Sequence, residues 1–144
     1  MCGIVGITST RNVSSSILNS LRKLEYRGYD SAGIATLENG LIKEVKCEGR
    51  VDALETIFSK QNSDGNIGIG HVRWATHGVP STINAHPHSS DKVSVVHNGI
   101  IENSTILKKL LIKKGFSFKS QTDTEVIVHL ITDYLKKNDL KNSI

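Results

Sequence analysis

The sequence has only two cysteines, few aromatic side chains and no long apolar run, and each shortage excludes a class of protein. Cys2 and Cys47 form no Cys-x-x-Cys pair and follow no signal peptide, so neither a disulfide framework nor a zinc knuckle is indicated. No apolar run approaches the ~18 residues of a membrane span, and position 2 is not the glycine that myristoylation needs. We therefore expect a soluble, unanchored protein of the reducing cytoplasm.

The composition is that of one ordinary domain, with 144 residues, 38% hydrophobic and 22% charged. The formal net charge of +4 could suggest a polyanionic partner. However, no aromatic side chains alternate with the lysines, which we interpret as solvated helix faces, so we expect no nucleic-acid partner. These lysines are Lys108, Lys109, Lys113, Lys114, Lys136 and Lys137.

Hydrophobic spacing in the first half of the chain predicts a strand at 4–8 and a helix at 14–24, with serines available to cap its start. Two strand-like runs, 31–37 and 41–46, flank Asn39-Gly40, a strong hairpin signal because both residues tolerate positive φ. A short amphipathic helix follows at 51–58.

The second half predicts strands at 67–72 and 93–97, then a helix around 106–111 that ends before Gly115. Thr122-Asp123-Thr124-Glu125 has the pattern of a capping box that opens a last helix. This mixed order with hairpins favours an α+β fold in which helices cover sheets.

Cys2 is a candidate N-terminal nucleophile because removal of Met1 would place a thiol and a free α-amine on one residue. The amine can then act as the base for its own thiol. With Met1 retained, the amine becomes an amide and this mechanism fails. Taken alone, a cysteine at this position is more often a small buried strand residue.

Six motifs occur in the order found in one known family. They are Met1-Cys2-Gly3-Ile4-Val5-Gly6, Glu25-Tyr26-Arg27-Gly28-Tyr29-Asp30-Ser31-Ala32-Gly33, Arg73-Trp74-Ala75-Thr76-His77-Gly78, Asn84-Ala85-His86-Pro87-His88, Val96-His97-Asn98-Gly99-Ile100-Ile101-Glu102-Asn103 and Thr122-Asp123-Thr124-Glu125. The chain thereby resembles the class II glutamine amidotransferase domains, whose nucleophile is an N-terminal cysteine. The motifs with Trp74 and Tyr29 resemble the branch that aminates fructose 6-phosphate in hexosamine synthesis more than the phosphoribosyl-pyrophosphate amidotransferases or asparagine synthetases.

The resemblance implies that Cys2 hydrolyses L-glutamine to glutamate and ammonia, with the Asn98 side chain and the Gly99 N–H as the oxyanion hole. Glutamine also carries a carboxylate and an ammonium, and Arg73 and Asp123 suit these two charges. From local sequence alone, Arg73 could instead form a surface salt bridge, Asp123 could cap a helix, and Asn98-Gly99 could be a plain turn.

Further residues take roles only by resemblance. Thr76 and His77 resemble residues that contact bound glutamine, and Trp74 resembles an indole that gates the path of ammonia. Arg27 and Gly28 would lie near the nucleophile. The histidines allow a metal site as a rival, because five of the six fall between 71 and 97. It lacks a third ligand, so we expect no metal and no cofactor.

The resemblance covers nearly all of 1–144 as the front part of a glutaminase domain. It implies a four-layer αββα sandwich, truncated at its C-terminal side, without the sugar-isomerase domains that bind fructose 6-phosphate and belong to a homo-oligomeric enzyme. Missing strands would expose sheet edges and apolar faces, which predicts marginal stability. Two alternatives stay open: a different N-terminal-nucleophile amidase, or a non-catalytic fragment.

Overall fold

A computed structural model of the chain describes residues 2–61, 64–74 and 79–136. In chain order the elements are β1 (Gly3–Thr8), α1 (Ser14–Leu24), β2 (Ser31–Glu38), β3 (Leu41–Glu48), α2 (Val51–Phe58), β4 (Ile67–Arg73), β5 (His88–Ser89), β6 (Ser94–Val95), α3 (Ser104–Lys113) and α4 (Glu125–Leu135). Short 3-10 turns, Glu25–Arg27 and Ser59–Gln61, follow α1 and α2. Within the described ranges, none of the helices has the length and apolar character needed to cross a membrane.

The main sheet has four antiparallel strands in the order β1-β4-β2-β3. The predicted hairpin between β2 and β3 is confirmed, with Asn39 at φ 50° and Gly40 at φ 79° in its two-residue turn. β4 lies between β1 and β2, so that Gly3 faces Val72 on one side and Ala32 faces Val72 on the other. The N-terminal strand is therefore held beside a central strand from much later in the chain.

Helices α1 and α2 cover one face of this sheet and enclose the hydrophobic core. Gly70 in β4 lets α1 lie close, because a Cβ at this position would lie 2.6 Å from the Ile17 side chain. The predicted helical stripe of α1 is confirmed through Ile17, Leu18 and Leu21, all buried. The core cluster comprises Val13, Ile17, Leu18, Leu21, Ala32, Ile34, Val45, Cys47, Val51, Leu54, Phe58 and Val72.

The opposite face of the sheet carries the β5–β6 pair, which α4 contacts in turn. Gly33 in β2 allows the backbone at His86 to pass close to this face, because a Cβ at position 33 would lie only 2.0 Å from the His86 carbonyl oxygen. Part of this face stays open, and Ile4, Leu37 and Ile67 are 42%, 38% and 44% exposed. Cys2, two residues before Ile4, belongs to this second face because side chains alternate along a strand.

Three local predictions were wrong in detail. The strand expected at 93–97 is only Ser94–Val95, because its partner β5 has only two residues. Asn12, and no serine, accepts the Ser14 N–H, at 2.8 Å. The capping box does not form, because Glu125 accepts hydrogen bonds from the backbone of residues 119 and 120 instead.

Candidate active site

A cavity of about 500 Å³ opens on the second face of the sheet, where β1 and β4 meet the turn after β6 and the start of α4. Of the predicted site residues, seven line it: Cys2, Arg27, Arg73, Trp74, Asn98, Gly99 and Asp123. The predicted glutamine contacts Thr76 and His77 lie outside the described residues. Residues separated by more than 120 positions in the sequence thus meet around one cavity.

Cys2 is held by the backbone of Trp74, the residue that follows β4. The Trp74 N–H donates to Cys2 Sγ at 3.1 Å, and the thiol lies 3.3 Å from the Trp74 carbonyl oxygen, to which it can donate. Pairing of β1 with β4 places these groups side by side, since Gly3 lies opposite Val72. The sulfur is therefore fixed beside the end of β4 by backbone geometry alone.

Arg73 is the last residue of β4, and its side chain is only 4% exposed. Its Nη1 atom lies 3.7 Å from the Asp30 carboxylate, at the start of β2. A surface salt bridge, the local alternative for Arg73, is therefore wrong. A buried guanidinium at a cavity wall is the group that recognises a carboxylate bidentately.

Asn98 and Gly99 follow β6, and their turn is held from two sides. The Asn98 Oδ1 atom lies 2.8 Å from Nε2 of His71 in β4. Asp123 Oδ2 accepts the Ile101 N–H at 2.6 Å and ties the turn to the start of α4. No side-chain cap of α4 is observed, so the capping alternative for Asp123 is also wrong.

Three histidines, His71, His86 and His88, contact one another edge-to-face beside the cavity, and His86 also lines it. Their sequence pattern suggested no site role apart from the rejected metal site. His86 Nδ1 lies 3.2 Å from His71 Nε2, and the ring centroids of His86 and His88 are 4.8 Å apart. His88 Nε2 lies 2.9 Å from the Thr122 hydroxyl. The concentration of histidines between 71 and 97 was the available signal.

Burial dominates the protonation of these rings. It lowers the pKa of His71 to about 4 and that of His88 to about 3, and it lowers the pKa of His86 in the same direction. All three rings are therefore neutral near pH 7. Within the described part of the chain, no group of three or more His, Cys, Asp or Glu residues is arranged to hold a metal ion.

Gly28 does not line the cavity but lies against its wall. It ends the 3-10 turn with φ 105°, and a Cβ at this position would lie 2.5 Å from the indole of Trp74. Trp74 itself is 53% exposed. Cys47, by contrast, is buried in the core on the other face of the sheet.

The chain belongs to the glutamine amidotransferase family, since the model of the glutamine amidotransferase domain matches residues 53–139. It is 55% identical over 136 residues to a glutamine–fructose-6-phosphate aminotransferase (isomerizing) of Bartonella henselae, covering 94% of this chain and 22% of that protein. It is 53% identical over 146 residues to the protein of the same name from Clostridium acetobutylicum, covering 100% of this chain and 24% of that protein. The chain spans less than a quarter of these relatives, and the resemblance inferred from the six motifs is confirmed.

Solved structures agree at the level of the fold. The glutamine phosphoribosylpyrophosphate amidotransferase of B. subtilis, complexed with ADP and GMP, superposes with a TM-score of 0.79 at 28% identity, over 100% of this chain and 31% of that one. An allosteric regulatory enzyme of purine biosynthesis gives a TM-score of 0.74 at 30% identity, over 99% of this chain and 31% of that one. The chain therefore has the α+β fold of glutamine amidotransferases.

Proposed function

We propose that this chain is the glutamine-hydrolysing part of a glutamine:fructose-6-phosphate aminotransferase, with Cys2 as nucleophile. The observation that carries the proposal is the convergence of a thiol, a buried guanidinium, an amide and a carboxylate on one cavity. Glutamine needs each of these groups. The identity of 53–55% to two aminotransferases of this name supports the same branch.

Removal of Met1 would free the Cys2 α-amine, which takes the thiol proton while Sγ attacks the side-chain amide carbon of glutamine. The Asn98 Nδ2–H and the Gly99 N–H stabilise the oxyanion of the tetrahedral intermediate. Collapse breaks the C–N bond, and the α-ammonium returns the proton to the departing ammonia. Water, deprotonated by the same amine, then hydrolyses the γ-glutamyl thioester to glutamate and regenerates the thiol.

The remaining site residues select and orient glutamine. Arg73 binds the α-carboxylate, and Asp123 accepts from the α-ammonium. Thr76 and His77 add contacts to the bound substrate. The indole of Trp74 gates the path of ammonia. Arg27 and Gly28 lie near the nucleophile, where the Gly28 carbonyl can hold the α-amine, and the position of Gly28 against the Trp74 indole is consistent with this role.

The order of the described layers supports a four-layer sandwich for the whole domain. Helices, the main sheet, the β5–β6 pair and α4 follow one another in space, as they would in part of a four-layer αββα sandwich. We assign 1–144 to this glutaminase domain. Sugar-isomerase domains, which would bind fructose 6-phosphate and form a homo-oligomer, would receive the ammonia.

The test uses the full-length protein with Cys2→Ala, and Cys47→Ala as the matched control. We expect Cys2→Ala to abolish glutamine hydrolysis while isomerisation of fructose 6-phosphate persists, and Cys47→Ala to keep both activities. Peptide mass spectrometry after treatment with an electrophilic glutamine mimic should find one adduct, on Cys2 of a peptide that lacks Met1, and free glutamine should prevent it. Hydrolysis that survives in Cys2→Ala refutes the proposal.

Arg73→Ala separates the favoured function from another N-terminal-nucleophile amidase. If the substrate is glutamine, loss of the guanidinium should raise KM by at least about tenfold, because a buried charge-assisted pair is lost. An amidase whose substrate lacks an α-carboxylate would be indifferent to this change. Unchanged turnover of a simple amide in Arg73→Ala would favour that second class.

A further inference from the structure

The orientation of the Asn98 amide decides whether it can stabilise an oxyanion. A side-chain amide presents either its NH₂ group or its oxygen to a given direction, and the partner of the other end selects between them. The side-chain partner observed for Asn98 among the described residues is His71, whose Nε2 lies 2.8 Å from Oδ1. Whether this ring nitrogen carries a proton therefore determines whether Asn98 directs its NH₂ group or its oxygen into the cavity.

We propose that His71 is a positioning residue for glutamine hydrolysis: its Nε2–H donates to Asn98 Oδ1 and so directs the Asn98 Nδ2 donors into the cavity. The inference rests on the proposed function, because it acts through the oxyanion hole assigned to Asn98. His71 does not itself line the cavity and touches no reacting atom.

The placement of His71 suits such a role. It lies within β4, opposite Ile4 of β1 on one side and Gly33 of β2 on the other, and it is fully buried. A ring confined between paired strands has little freedom to rotate. The hydrogen bond to Asn98 consequently starts from a fixed point of the sheet.

Neutral His71 carries one proton, and its location has opposite consequences. With the proton on Nε2, the ring donates to Asn98 Oδ1 and the amide NH₂ group is directed away from His71. With the proton on Nδ1, Nε2 becomes an acceptor and would favour the flipped amide, whose oxygen would repel an oxyanion. The Asn98 oxygen can only accept, so its distance of 2.8 Å from Nε2 requires the proton on Nε2.

His86 takes part in the same arrangement. Its Nδ1 lies 3.2 Å from His71 Nε2 and, without a proton, offers a second acceptor to the same N–H. A protonated His86 Nδ1 would instead force His71 Nε2 to accept. The positions of the protons on His71 and His86 thus determine whether Asn98 presents a donor or an acceptor to the cavity.

Two substitutions separate hydrogen bonding from packing. His71→Gln places an amide N–H near the position of Nε2, whereas His71→Leu fills similar space without a donor. In the full-length protein, we expect His71→Leu to lower kcat for glutamine hydrolysis about 100-fold to 1000-fold, the effect of losing an oxyanion-hole donor. We expect His71→Gln to stay within about tenfold of wild type, and KM to change by less than about threefold in both.

His88→Leu is the matched control, because it removes another buried histidine of the same cluster that has no contact with Asn98. We expect its kcat to stay within about threefold of wild type. Alkylation of Cys2 by iodoacetamide develops no oxyanion, so its rate should be unchanged in every folded variant and reports an intact nucleophile.

A double-mutant cycle assigns the effect to Asn98. In an Asn98→Ala background, His71→Leu should change kcat by less than about threefold, because the group that it positions is already gone. His71→Met replaces His71→Leu if the leucine variant does not fold. A kcat near wild type in the donor-free variant, or an equal loss in His71→Gln, overturns the proposal. Hydrolysis that persists in Cys2→Ala would instead overturn the proposed function itself.

Discussion

Lowering the pH from about 7 to about 5 should destabilise the folded domain through its buried histidines. Burial lowers the pKa of His71 to about 4 and of His88 to about 3, whereas an unfolded histidine has a pKa of about 6.5. The unfolded state therefore binds these protons first. Above about pH 6.5 these histidines do not reduce the free energy of unfolding. Below it, the free energy of unfolding falls as the pH drops toward the folded-state pKa values.

The magnitude follows from the interval between the unfolded pKa and the working pH. About 1.5 pKa units separate 6.5 from pH 5, and each unit is ~1.4 kcal/mol, so each histidine lowers the free energy of unfolding by about 2 kcal/mol at pH 5. His71 and His88 together give about 4 kcal/mol. His86 adds to this loss, because its pKa is lowered in the same direction.

Urea unfolding at pH 7 and pH 5, followed by far-ultraviolet circular dichroism, measures this loss. The protein used is the shortest one that contains His71, His86 and His88 and still unfolds cooperatively. His88→Gln is the control, because its amide can keep the hydrogen bond to Thr122 without titrating. We expect the variant to lose about 2 kcal/mol less than wild type between pH 7 and pH 5. Equal losses in the two proteins would refute the assignment of acid sensitivity to the buried rings.

Two glycine substitutions test the packing. Gly33→Ala should destabilise the domain by about 1–3 kcal/mol or more, because its Cβ would lie 2.0 Å from the His86 carbonyl oxygen, whereas the nearest atom to a Cβ at Gly6, also in a strand, is 3.9 Å away. Similar urea midpoints for the Gly33→Ala and Gly6→Ala variants would contradict this packing. Gly28→Ala should displace the indole of Trp74, the one tryptophan of this chain, and shift its fluorescence emission. An unaltered emission spectrum would show that the indole does not rest on Gly28.

The features that sequence predicted best are those set by neighbours along the chain. Asn39-Gly40 defines its hairpin locally, and the spacing of Ile17, Leu18 and Leu21 defines the buried side of α1. Strand order and the shortness of β6 depend on distant partners, which periodicity does not report.

The candidate site divides in the same way. Cys2 lies just before β1 and Arg73 ends β4. Each belongs to a local sequence motif, and these motifs predicted both as site residues. The hydrogen bonds from His71 to Asn98 and from Ile101 to Asp123 join residues 27 and 22 positions apart. Such pairings arise only when the second face of the sheet is covered, so no local pattern could have predicted them.

The hydrogen bond between Asp123 and the Ile101 N–H has a consequence for how the proposed glutaminase would discriminate among amides. The Asp123 carboxylate, proposed to recognise the substrate ammonium, also holds the backbone two residues after Gly99, the glycine proposed for the oxyanion hole. In the proposed function, binding of the glutamine ammonium and positioning of the oxyanion hole thus both depend on Asp123. An amide substrate without the α-amino group would leave the Asp123 carboxylate without its ammonium partner. We expect such a substrate to have a lower kcat as well as a higher KM than glutamine.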